Sequence, residues 1–170
     1  MPRIARKEIP DCYTAYTAAR VAANETNDCA VIAIAAATGT DYATVRDLLA
    51  AAGRKTRHGT QRAASYLVLD KLGFDRIPVV PEMMIAQYPK AHQILKSVTS
   101  HHPRRFNKIW SDGNTYLFFF SGHVAAVIDG TLIDWSINRA LQCTEIYKIV
   151  RRTPAPVAAP VRLAAQLPNS

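Results

Sequence analysis

At 170 residues, 49% apolar and 20% charged, the chain has the length and balance of one soluble globular domain with a substantial core. No apolar run approaches a membrane span, and the opening MPRIARKEIPDCY has no apolar signal region. Three widely spaced cysteines without a CxxC argue against a disulfide framework or zinc knuckle, and a net charge of +8 favours acidic partners.

Residues 13–23 read as a short leading helix. The segment NETND (24–28) follows, in which Thr26, Asn27 or Asp28 can cap a helix. CAVIAIAAAT (29–38) is apolar on every side and stops at Gly39, which predicts a helix buried nearly all round. TDYATVRDLLAAAG (40–53) predicts an amphipathic helix capped by Thr40 or Asp41, with Tyr42, Val45, Leu48 and Leu49 inward and Gly53 as its stop. TQRAASYLVLDKLG (60–73) repeats that logic and ends at Gly73.

The texture then changes. IPVV (77–80) reads as a short strand broken at Pro81, and PKAHQILKSV (89–98) as a short helix. Four strands follow in TYLFFF (115–120), HVAAVI (123–128), TLIDW (131–135) and TEIYKIV (144–150). Helices first and strands later describe an α+β domain over residues 1–150 with an antiparallel sheet. Residues 151–170 hold four prolines without a core pattern and read as an extended tail.

The stretch SGHVAAVIDGTLIDW (121–135) carries the most chemistry. Asp129-Gly130 between apolar runs predicts a two-residue type I′ hairpin, pairing Ile128 with Thr131, Val127 with Leu132, Ala126 with Ile133 and Ala125 with Asp134. His123 shares a face with Ala125, which makes Asp134 its diagonal neighbour at roughly 7–8 Å. Val124, Ala126, Ile128, Ile133 and Trp135 occupy the other face. One face is expected to pack, and the other to present a His–Asp pair.

An imidazole steadied by a carboxylate needs a group to activate. Cys29 opens the buried helix, where free N–H groups and the positive dipole end favour a thiolate. Together Cys29, His123 and Asp134 make up a cysteine nucleophile with an oriented base.

On NDCAVIAIAAATG (27–39) and GHVAAVIDGTLID (122–134) the chain resembles the papain-like superfamily of cysteine peptidases, especially small divergent members from phages and bacteria. The resemblance implies a papain-like α+β fold, with the cysteine heading a central helix packed on the sheet. It also implies a Cys-His-Asp triad: Cys29 as nucleophile, His123 as general acid and base, Asp134 as orienting acid. The activity implied is cleavage of a peptide or isopeptide bond through an acyl-enzyme, without cofactor or metal. Such enzymes usually place an oxyanion-binding glutamine shortly before the cysteine. Here the nearest amides are Asn24 and Asn27, and Asp28 puts a carboxylate beside the thiol.

A protein or peptide substrate is the partner expected, in a bacterial or infected-cell cytoplasm or a virion, with no membrane. The rival readings are a non-catalytic interaction or phage virion-structural protein docking other subunits through its tail, and a basic nucleic-acid binder. The latter would use the clusters at 53–62 and 101–108 with Arg151 and Arg152. His58, His101 and His102 are expected in solvated loops.

Overall fold

The computed structural model describes residues 15–79, 111–133 and 143–153. Over these the chain is α+β. Helices α1 (Thr17–Ala22), α2 (Cys29–Thr38), α3 (Tyr42–Ala51) and α4 (Arg62–Lys71) precede strands β1 (Phe74–Pro78), β2 (Thr115–Phe120), β3 (His123–Ile128), β4 (Thr131–Ile133) and β5 (Cys143–Arg151). The strands form one sheet in the order β1-β5-β2-β3-β4, with every neighbouring pair antiparallel. The predicted helix at 89–98, the basic segment 101–108, Asp134, Trp135 and residues 154–170 lie outside the described residues.

The three longer helices form where their sequences predict. Helix α2 has no polar stripe and is buried on all sides, with Val31, Ile34 and Ala35 at 0% exposure. It ends at Gly39, whose φ of 67° is the left-handed conformation of a helix stop. Helix α3 is capped by Asp41, which accepts from the Thr44 N–H at 2.9 Å, and buries Tyr42, Val45 and Leu49 beside it.

Strand β1 starts earlier than IPVV suggests, at Phe74, because pairing with β5 defines it: Phe74 faces Arg151 and Pro78 faces Tyr147. Strand β5 reaches Arg151, and the Arg152 N–H bonds to the Gly73 carbonyl at 2.7 Å, so pairing at this edge of the sheet runs past residue 150. Arg151 lies over the Phe74 ring and Arg152 pairs with Asp75 at 2.7 Å.

The hairpin has the expected register, Ile128 with Thr131, Val127 with Leu132 and Ala126 with Ile133. Asp129 and Gly130 have φ of 43° and 74°, as a type I′ turn requires. The expectation that only one face packs needs correction. Leu117, Phe119, Val124, Ala126 and Ile133 join the helices in one core, but Tyr116, Phe118, Phe120, Ala125 and Val127 form a second buried cluster on the reverse face. The reason is β2. It lies between β5 and β3, and its successive aromatics point alternately to either side, so both faces of the sheet are apolar.

Candidate functional site

The loop before α2 is fixed by a buried ion pair. Arg54 holds Glu25 with two parallel bonds, 2.7 and 2.9 Å long, and the two side chains are 1% and 0% exposed. Arg54 also donates to the Asn27 carbonyl, and the Arg57 N–H donates to Glu25 at 2.8 Å. Burial alone opposes ionisation of Glu25, but the Arg54 and Arg57 hydrogen bonds and the Arg54 charge outweigh it and hold its carboxyl below the ordinary value. Segment 24–28 is thereby laced to segment 54–57.

Asp28 occupies the N-cap position of α2, yet its side chain makes no capping bond. Its carboxylate is fully buried instead, accepting from the Tyr42 hydroxyl at 2.8 Å and from Arg20 Nε at 3.2 Å. Burial first, then the bond to Asp28, raises the Tyr42 phenol above its ordinary value. The first bond within α2 runs from the Ile32 N–H to the Asp28 carbonyl at 3.0 Å. The N–H groups of Cys29, Ala30 and Val31 thus have no intrahelical partner, and no side-chain cap answers them.

His123 begins β3 directly after Gly122, whose φ is 72°. The residue is 8% exposed, and its ring lies 5.9 Å from that of Phe120, its cross-strand partner.

The start of α2 and the start of β3 meet at one open cleft of about 200 Å³. Half-buried Cys29 and buried His123 both line it, as do Thr60, Arg62, Ser65 and Phe119. Arg62 is fixed there by Glu145, by the Thr144 hydroxyl at 2.9 Å and by the Phe119 ring. Glu145 also accepts from Tyr66 at 2.6 Å and Tyr147 at 3.0 Å, and chiefly the Tyr66 bond holds its carboxyl below the ordinary value. The Thr60 hydroxyl is shielded from solvent and has no hydrogen-bond partner.

The structure therefore brings two of the expected site residues, Cys29 and His123, to the same cleft. Neither Asn24 nor Asn27 lines it. Asn24 is exposed in a turn with φ of 52°, and the Asn27 amide donates to the Arg57 carbonyl at 2.9 Å. Asp134 follows β4 outside the described residues. Cys143 is a contrasting thiol: burial pushes its pKa up to about 12, and its Sγ lies 3.5 Å from the Phe119 and Glu145 carbonyl oxygens. Among the described residues no group of His, Cys, Asp and Glu could hold a metal, and no helix is long and apolar enough to cross a membrane.

Sequence reasoning missed Glu25, Arg54 and Arg62. Charged residues in a polar segment read as solvated surface by default, and the partners that hold them are 29 and 83 positions away. No protein-family model, curated protein or solved structure matches the chain.

Proposed function

We propose that the protein is a cysteine-dependent hydrolase of papain-like plan, cleaving a peptide or isopeptide bond through an acyl-enzyme. The observation that carries this reading is the shared cleft: a cysteine at the uncapped start of a buried helix and a histidine at a strand start line the same 200 Å³ space. In the proposed reaction His123 takes the Cys29 proton and the thiolate attacks the substrate carbonyl. The Cys29 N–H, one of the three without an intrahelical partner, donates to the oxyanion. His123 then protonates the leaving amine, and water releases the acyl group. Asp134, next after β4, is the proposed orienting acid.

A peptide acyl probe directed at thiols tests this. Labelling should be lost in Cys29→Ala and His123→Ala, fall in Asp134→Ala and persist in Cys143→Ala. Labelling that survives Cys29→Ala, or an inert Cys29 in the folded wild-type protein, would sink the enzyme reading. The nucleic-acid reading draws less support, since Arg54, Arg62 and Arg152 of its basic segments are each held in an ion pair.

A further inference from the structure

A second cavity, of about 360 Å³, adjoins the Cys29 cleft, and Gly59 lines both. Its walls are the C-terminal end of α3 at Ala52 and Gly53, the loop residues Lys55 and His58, and the first turn of α4 at Gln61 and Ala64. Four features of this cavity favour a negative charge.

Lys55 and His58 are exposed at its wall, and among the described residues no carboxylate lines it. His58 Nδ1 lies 2.9 Å from the Thr56 carbonyl, so Nδ1–H donates locally, and in the imidazolium form Nε2–H is a second donor left for an anion. Arg54 also lines the cavity; its side chain is 1% exposed, Glu25 holds its two terminal nitrogens, and its Nε proton has no hydrogen-bond partner. Finally, the ten-residue α4 begins here with Gln61 at its N-cap, and the Gln61 side chain makes no capping bond. The first bonds run from the Ala64 and Ser65 N–H groups to the Gln61 carbonyl, leaving the Arg62 and Ala63 N–H groups without intrahelical partners. The opposing carbonyl end of α3 is partly answered by its own chain, since the Gly53 and Arg54 N–H groups bond to the Ala50 and Leu49 carbonyls.

We infer that this cavity is a specificity subsite for an acidic side chain of the substrate, a carboxylate or a phosphoryl group, carried close to the bond cleaved in the neighbouring cleft. The inference rests on the thiol-hydrolase reading for the identity of that cleft. Binding to the cavity itself can be measured without catalysis.

The test uses full-length Cys29→Ala protein and four capped hexapeptides, Ala-Ala-X-Ala-Gly-Ala, with X as glutamate, phosphoserine, glutamine or lysine. Each is titrated at low ionic strength while the amide resonances of Lys55, His58 and Gly59 are followed by NMR. The glutamate or the phosphoserine peptide should bind about fivefold more tightly than the glutamine peptide, as an exposed charge pair allows, and the lysine peptide most weakly. Whichever acidic peptide binds more tightly names the group. Lys55→Glu combined with His58→Gln should reverse the order of the acidic and lysine peptides. Equal binding of all four, or a preference unchanged in the double variant, overturns the subsite. The two readings fail separately. An inert Cys29 with acid-selective binding removes the hydrolase alone, whereas a reactive Cys29 without charge preference removes the subsite alone.

Discussion

Helices α2 and α3 are both ten residues long, and an aspartate stands at the N-cap of each, yet the two carboxylates do opposite things. Asp41 turns onto its own helix and accepts from the Thr44 N–H, capping the first turn of α3. Asp28 turns away from its helix into a buried cluster with Tyr42 and Arg20, and the first turn of α2 stays open. The difference teaches that the open end of α2 is held by its surroundings rather than by its own cap. Anchors behind it leave N–H groups and a thiol facing a cleft, which is what an oxyanion site needs.

The strongest of those anchors is the Glu25–Arg54 pair, and removing one partner is the largest way to break the comparison. Arg54→Met leaves a buried carboxylate without its counter-ion and should cost about 3–5 kcal/mol in urea unfolding. A loss no greater than that of an exposed ion pair would mean that this pair does not anchor α2. The pair also predicts a pH dependence. The Glu25 carboxyl lies below its ordinary 4.5 in the folded chain, so its stabilisation is fully present above that value. It should be lost as pH falls through the lower folded value, and the acid limb of the melting-temperature curve should shrink in Glu25→Gln.

The same contrast explains what could be read in advance. Regular elements were legible because their signals are local: the all-apolar run of α2, the Asp41 cap, the Asp129-Gly130 turn and the strand periodicity. That Cys29 and His123 reach one cleft was legible because each begins an element. The surroundings of that cleft were not. Asp28 reads as a cap from neighbouring residues alone, and only the Tyr42 and Arg20 side chains, 14 and 8 positions away, draw its carboxylate elsewhere. Burial of the His123 face was hidden for a related reason. Alternation in β3 alone suggests one wet face, and the aromatics that make both faces apolar belong to β2.

The smaller effects sharpen the comparison at the aspartates themselves. Asp28→Ala strips a buried acceptor from the Tyr42 hydroxyl and a counter-charge from Arg20, and should cost about 1–3 kcal/mol. In a Tyr42→Phe background the cost should fall, because the orphaned hydroxyl is then gone. Asp28→Ser separates the two possible roles of this residue. Serine caps helices well but is too short to reach what the longer carboxylate touches, so it should be nearly as unstable as alanine. At residue 41 the opposite holds: Asp41→Ala should lower the melting temperature least of all these changes, and Asp41→Ser should recover it. Recovery by serine at both positions would mean that α2 is capped like α3. Its open first turn, and the oxyanion site drawn from it, would then lose their physical basis.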